Sequence, residues 1–281
     1  MSYVGGTKRS GCVFCDALAA DDDRDRLILH RGTRAFIILN LYPYNSGHSM
    51  VVPYAHVAAL DDLDAETRAE ILELATVAST ASKRVLHCDG FNLGLNIGSV
   101  AGAGVADHLH MHVVPRWTGD ANFMPILGNT MVMPELLPAT YARLRAQIES
   151  ALGAHDGRPV DAAGAIVVAP GAGVVMPVVA GAPPFPTAPV DDETSSADAA
   201  LQAVRDSLSI DAAIAGWAGG GESSFGRTVY FLMTAPESSL DASNARVVPV
   251  DGMHAELTDD GARALLADNT AILARLVEEG S

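Results

Sequence analysis

From Asp107 to Trp117 the chain reads D-H-L-H-M-H-V-V-P-R-W, three histidines spaced two apart and interleaved with apolar residues. Strict alternation is the period of a half-buried β-strand, whose successive side chains point to opposite faces. It predicts that His108, His110 and His112 share one face, with Leu109, Met111 and Val113 packed behind them. Each imidazole carries two ring nitrogens that need partners once water is removed, so three in a row are poor core material. A chance polar strand face and a metal-binding row are the plainer readings. A nucleophilic site on a rigid strand accounts for more, including the Pro115-Arg116 stop that follows.

At 281 residues the chain exceeds a typical single domain, so two are expected. Nearly half the residues are apolar, yet no run approaches a membrane span, which describes a soluble globular protein. Lys8 and Arg9 are followed by no apolar stretch, so no signal peptide is expected and the cytoplasm is the expected compartment. The net charge of −16 argues against an extended nucleic-acid footprint and against an anionic membrane surface. It leaves room for a small anionic substrate held at a local site. Charge and composition also divide the chain: residues 1–158 hold 13 basic and 17 acidic side chains, and residues 159–281 hold 5 and 17. The second part is richer in Ala, Gly and Val. A boundary at residues 155–160 follows, giving domains 1–157 and 158–281.

Three cysteines, two of them as Cys12-x-x-Cys15, cannot build a secreted disulfide framework. The pair is either half of a structural zinc site or plain reduced thiols. A zinc site needs two further N or S ligands, and His30, His48, His56, His87 and His108 are candidates, with His56 and His108 preferred. Strands are expected at Leu27 to His30 and Ala35 to Leu39, joined by a turn at Arg31-Gly32-Thr33. The segment from Asn40 to Pro53 is punctuated by Pro43 and Asn45-Ser46-Gly47, then resumes as a strand from His48 to Val52. Asp61 to Val85 has helical periodicity with Asp64 as its cap, and its apolar stripe reads as core packing. Gly90 to Gly98 alternates as a strand with Asn92 and Asn96 on one face. Ala101-Gly102-Ala103-Gly104 then makes a small-residue loop whose backbone N–H groups could approach a phosphate. A polar irregular segment follows Trp117, and Pro138 to Leu152 reads as a closing helix.

Taken together, Cys12-x-x-Cys15, the Gly47-His48 strand with Pro53 and His56, Asn92 and Asn96, and H-L-H-M-H-V-V-P-R resemble the histidine triad (HIT) superfamily. The resemblance covers about residues 11 to 150. The longer stretch G-A-G-V-A-D-H-L-H-M-H-V-V-P-R-W-T-G-D-A-N-F-M-P is similar to the branch of fragile-histidine-triad hydrolases and diadenosine tetraphosphate phosphorylases. The resemblance implies an α+β fold, an antiparallel sheet with a long helix, paired in a homodimer. It implies that His110 attacks the α-phosphorus and forms a covalent nucleotidyl-imidazole, chemistry open to an imidazole that is neutral near pH 7. His112 would contact the phosphates and assist the leaving group, while His108 and His48 would orient ring and substrate. Asn40 would hold the ribose, and Asn96 with Gly102, Ala103 and Gly104 would line the phosphates. No cofactor is required for this chemistry; magnesium is expected only with the nucleotide substrate. One departure stands out: the hydrolases carry Gln four residues before the first histidine, where this chain has Gly104. That shifts the expectation toward phosphorolysis, in which inorganic phosphate, not water, takes the nucleotidyl group. Asp107 either positions a histidine or faces solvent.

In the second part, strands are expected at 163–168, 173–176, 226–233 and 245–252. Helices are expected at Ala197 to Leu208, capped by Ser195-Ser196, and at Asp259 to Glu278, with a Pro-rich loop across 181–190. This order resembles a Nudix domain. Nudix chemistry needs a cluster of glutamates on the first of these helices to hold magnesium. Here Gln202, Ala203, Val204, Arg205, Asp206 and Ser207 stand there, so a degenerate, non-catalytic domain is expected. The leading reading is a nucleotidyltransferase or hydrolase of dinucleoside polyphosphates. A nucleoside phosphoramidate hydrolase and a non-catalytic nucleotide-binding or sensing protein are the alternatives.

Overall fold

A computed structural model describes residues 11–120, 135–152, 159–179, 182–191 and 193–279. These residues fall into two compact units that divide between Glu135 and Leu136. No helix among them is long and apolar enough to cross a membrane.

The first unit opens with a short helix, α1 (Val13–Ala19), followed by β1 (Ile28–Arg31), β2 (Ala35–Leu39) and β3 (Ser49–Pro53). The long helix α2 (Ala65–Leu86), β4 (Gly90–Leu95) and β5 (Met111–Arg116) complete it. The five strands form one antiparallel sheet in the order β1-β2-β3-β5-β4. β2 and β3 are buried along their whole length, so both sheet faces are covered. α2 packs on β2, β3 and β5. A second cluster joins Phe14 and Ala17 of α1 to Ile28, Phe36, Ile38, Met50 and Val52. Burying side chains of this size stabilises by about 1.5–3 kcal/mol each. Ile38, Met50 and His112 are directly opposite across β2, β3 and β5, which places His112 on the face that α1 covers.

The expected helix is present because both of its ends are chemically marked. The Asp64 carboxylate accepts the Thr67 N–H at 2.7 Å, Glu66 sits in the first turn, and Lys83 and Arg84 sit in the last. His87 ends it in the left-handed region at φ 52°. Glu70 of α2 accepts the N–H groups of Thr33 and Arg34 at 2.7 and 3.1 Å, which ties the β1–β2 turn to the helix. Gly32 permits that approach, since a Cβ there would collide with the Glu70 carboxylate and the Ala35 carbonyl.

Two expectations are corrected in this unit. The histidine strand begins only at Met111: His108 to His110 lie outside the ladder, and Leu109 N–H donates to the Val57 carbonyl at 2.7 Å instead. Leu109, Met111 and Val113 are nonetheless buried as the alternation requires. The Gly90–Gly98 strand stops at Leu95, because Gly98 and Gly102 take positive φ and fold the chain into a 3-10 turn at Ser99–Ala101.

The second unit opens with α3 (Leu137–Leu152), which packs on a later strand and helix of the same unit. The expected division was 157/158. The expected boundary itself falls mostly on residues 153–158, outside the described residues, as does the irregular segment from residue 121 onward. Next come β6 (Ala162–Ala169), β7 (Gly173–Pro177), β8 (Thr187–Pro189) and α4 (Ser196–Leu208). Then follow β9 (Ala213–Ser223), β10 (Gly226–Thr234), β11 (Ala245–Val248), α5 (Met253–Glu256) and α6 (Asp260–Glu278). The sheet runs β11-β7-β6-β10-β9, with β8 added along the start of β6; β6 and β10 are parallel and the other pairs antiparallel. Ile166, Val168, Tyr230 and Leu232 pack with Leu265, Leu266 and Leu273 of α6. The alternate residues point the other way, and α4 packs on β6, β8 and β10. β9 was not expected. Gly216 and Gly219 to Gly221 weaken its strand signal, and its pairing along the whole of β10 supplies what its sequence lacks. β8 likewise lies inside the expected Pro-rich loop, and the strand expected to reach residue 252 ends at Val248 in a 3-10 turn.

Candidate active site

The site grows from the connection between β2 and β3. Asn40 ends β2, and its Oδ1 accepts the Tyr42 N–H at 3.0 Å, which turns its amide NH2 toward Nδ1 of His48 at 3.2 Å. The backbone N–H of Tyr44 donates to the same Nδ1 at 3.0 Å. With two donors on Nδ1, the proton of the neutral His48 ring resides on Nε2 and is donated to Nδ1 of His112 at 2.9 Å. The His112 proton is thereby placed on its own Nε2, which is buried and has no hydrogen-bond partner among the described residues. A buried donor without an acceptor is rare and costly, so its retention points to an acceptor brought by a ligand.

His110 is fixed in the complementary sense. Its Nδ1 lies 2.8 Å from the backbone carbonyl of His108, which can only accept, so Nδ1 carries the proton and Nε2 holds a lone pair. The His110 and His112 rings meet edge to face with centroids 4.9 Å apart. One ring thus offers a lone pair beside a second that offers an N–H. Burial, then the neighbouring His112 and His110 rings, pushes His48 down to about 3. Burial, then His110, pushes His112 down to about 4. Burial also lowers His110, against the opposing pull of the His108 carbonyl. All three rings are therefore neutral near pH 7, as the relay of single protons requires.

His108 faces a different group. Its Nδ1 lies 3.2 Å from Sγ of Cys12 and 3.7 Å from Sγ of Cys15, and Cys15 Sγ lies 3.3 Å from Nδ1 of His56. The four donor atoms all fall within 4.8 Å of one another. Tetrahedral zinc, with Zn–S near ~2.3 Å and Zn–N near ~2.0 Å, sets S and N ligands about 3.5 Å apart, so the spacing fits. His108 Nε2 lies 2.9 Å from the Pro53 carbonyl, to which it donates, leaving Nδ1 as a lone pair toward the thiols. That backbone partner is the usual outer support of a metal-bound histidine. Phe14 of α1 packs against the His108 ring at 5.4 Å and the His110 ring at 5.1 Å, so one short helix serves both clusters.

The structure therefore joins His48, His112 and His110 by contact, and places Cys12, Cys15, His56 and His108 together. Asn40 belongs to the first group through His48. Asn96, Gly102, Ala103 and Gly104 lie on the connection from β4 to His108, where a side chain at Gly104 would meet nothing within 4 Å. Asp107 is exposed. Sequence reasoning passed over Tyr44, because its backbone N–H makes the contact and residue type does not encode that. It also passed over Phe14, which reads as ordinary apolar filler beside Cys15.

A HIT domain profile matches residues 23–119. Over 118 residues the chain is 49% identical to a protein of Mycobacterium tuberculosis named AP-4-A phosphorylase; the match takes in 42% of this chain and 60% of that protein's length. It is 30% identical over 113 residues to an uncharacterised HIT-like protein of Saccharolobus solfataricus, of which it covers 79%. A crystal structure of a zinc-bound histidine triad family protein from Mycobacterium smegmatis is 29% identical, covers 49% of this chain and 93% of its own, and superposes with a TM-score of 0.42. On the profile, the histidine motif and the relative covered over most of its length, the chain belongs to the HIT family.

Proposed function

We propose that the first unit transfers a nucleotidyl group from a dinucleoside polyphosphate to inorganic phosphate through a covalent intermediate on His110. The observation that carries this reading is the pairing of a lone pair on His110 Nε2 with an unpartnered buried N–H on His112 Nε2. His110 Nε2 attacks the α-phosphorus, an N–P bond forms, and the P–O bond to the remaining polyphosphate breaks. The leaving polyphosphate departs as its anion, held by the His112 N–H. The ring becomes an N-nucleotidyl imidazolium whose Nδ1–H stays on the His108 carbonyl, which stabilises the new charge. Phosphate then attacks, the N–P bond breaks, and its electrons return to Nε2. Asn40 is assigned to the ribose, and Asn96 with the 102–104 loop to the phosphates. The relatives named AP-4-A phosphorylase support the substrate class, and Gly104 supports phosphate over water as acceptor. Magnesium is assigned to the polyphosphate alone.

Cys12, Cys15, His56 and His108 are assigned to a zinc ion with a structural role, since four protein donors close a tetrahedral site and leave no position for substrate. Thiols kept for metal suit a reducing compartment, which supports a cytoplasmic setting. A homodimer is assigned to β4, an edge strand with Leu93 50% exposed, whose unpaired backbone suits a second copy. The second unit is assigned as a Nudix-like sandwich without magnesium chemistry, serving packing, dimerisation or ligand sensing. On α4 the Gln202 amide donates to Asp206 at 2.8 Å, and the Asp198 carboxylate one turn earlier is held by the Ser195 hydroxyl at 2.6 Å.

Product analysis on diadenosine tetraphosphate tests the reaction. ADP plus ATP is expected, formed only with inorganic phosphate present. AMP plus ATP without phosphate overturns the phosphorylase reading in favour of hydrolysis, and no product under either condition moves the assignment to phosphoramidates or sensing. The lowered histidines set the pH dependence of the first chemical step. Neutral His48 and His112 persist until pH falls toward about 3 and about 4, and burial holds His110 below its ordinary value, so the acid limb of nucleotidyl transfer to His110 is expected below 6.5. A midpoint at or above 6.5, in single-turnover rates on a substrate lacking a terminal phosphate, contradicts it. Metal analysis of purified protein is expected to give one zinc per chain, lost in the Cys12→Ser/Cys15→Ser variant together with thermal stability; full zinc content in that variant refutes the ligand set.

A further inference from the structure

The proton on His112 Nε2 is only as well placed as the donors on His48 Nδ1. One of these, the Asn40 amide, keeps its nitrogen toward His48 because the Tyr42 N–H of the same loop holds its oxygen. The other, the Tyr44 backbone N–H, can only donate, so the two together decide which nitrogen of His48 carries the proton. The position of that N–H depends on how the 40–48 loop is held. Within the loop, Asn40 N–H donates to the His48 carbonyl at 2.9 Å and His48 N–H to the Asn45 carbonyl at 3.1 Å. Gly47 supplies the left-handed turn at φ 75°.

What fastens the loop to the rest of the sheet is the side chain of Asn45. Its amide donates to the Pro115 carbonyl at 3.1 Å and to the Asp120 carboxylate at 2.8 Å. Both partners are acceptors, so the orientation of this amide is fixed. Asp120 is gripped in turn by Arg116, Nε at 2.7 Å and Nη2 at 2.6 Å, and by the Trp117 N–H at 3.1 Å. Arg116 also donates to Asn92 Oδ1 on β4 at 2.8 Å. A two-pronged guanidinium–carboxylate pair is geometrically strict, and the Asp120 side chain is 13% exposed while that of Arg116 is 40% exposed. The Tyr44 ring lies tilted against His48 at 4.6 Å and stacks on His112 at 5.8 Å, so any shift of the loop reaches both rings.

We propose that Asn45, clamped by the Asp120–Arg116 pair, is a positioning residue that sets the tautomer of His48 and, through it, the N–H that His112 presents to the substrate. The clamp anchors the loop to the far end of the strand that carries His112, so donor and acceptor of the relay are built on one frame. The kinetic consequence rests on the nucleotidyl-transfer reading; the tautomer itself does not.

The test uses the full chain with 15N-labelled histidine and long-range nitrogen–proton correlation spectra, which distinguish Nδ1–H from Nε2–H rings, alongside steady-state kinetics on diadenosine tetraphosphate with phosphate. Wild type is expected to show both His48 and His112 as single Nε2–H tautomers. Asn45→Ala is expected to mix them and to lower kcat about 10- to 100-fold with KM changed less than threefold. Asp120→Asn, which keeps the shape of the side chain, is expected to do the same to a smaller extent and serves if Asn45→Ala fails to fold. Unmixed tautomers in a folded variant overturn the proposal, whether kcat is retained or falls, since any loss then runs by another route. Mixed tautomers in the variants of a protein inactive on every dinucleotide tested leave the positioning role standing and remove the functional reading.

Discussion

The hydrogen bond between His110 Nδ1 and the His108 carbonyl, 2.8 Å long, is the contact on which the rest of the first unit converges. It spans a single residue, so its geometry is set by the backbone of the chain from His108 to His110, which no sheet ladder holds. Other contacts hold it instead. Leu109 N–H is tied to Val57, His108 Nε2 to Pro53, and His108 Nδ1 faces Cys12 and Cys15. The four-donor cluster and His110 are thus consecutive parts of one arrangement. Fixing His108 from both ring nitrogens fixes the carbonyl that fixes His110. Phe14 closes the remaining space between the two rings.

Burying three imidazoles and half-burying a fourth costs desolvation, and the fold offsets it by pairing nitrogens in a directed series. His48 receives two N–H donors and gives one; His112 receives one and retains one for a ligand. The same burial that keeps the rings neutral makes them usable, because a protonated His110 has no lone pair to donate. Stability and reactivity therefore draw on one arrangement. Substitution of an outer member is felt at the centre through a proton position and not through lost packing alone.

Much of the first unit was legible in the sequence, and for physical reasons. The D-H-L-H-M-H run marks its buried face by alternation, Asp64 marks a helix start by its capping chemistry, and Gly47-His48 marks a return to the sheet. Cys12-x-x-Cys15 stood out as half of a candidate metal site or plain thiols, and the other two donors of the group, His56 and His108, come together once Val57 and Leu109 pair. What stayed hidden was carried by backbone groups, namely the Tyr44 N–H and the carbonyls of His108, Pro53 and Pro115, which every residue type possesses. Asn45, Arg116 and Asp120 were visible as residues but read as turn chemistry and a strand stop, since their meaning lies in contacts 70 and 75 residues apart. In the second unit, β9 escaped because glycine masks strand periodicity, and the packing of α3 on β9 and α4 was hidden because those partners lie later in the chain.

In the proposed reaction His110, and no other group, takes the nucleotidyl load. Rapid acid-free quenching of the protein with diadenosine tetraphosphate in the absence of phosphate, followed by peptide mass mapping, addresses it directly. An adenylyl adduct confined to His110, absent from His110→Ala and discharged as ADP when phosphate is added, is the expected result. An adduct on another residue, or turnover retained in folded His110→Ala, would contradict the account.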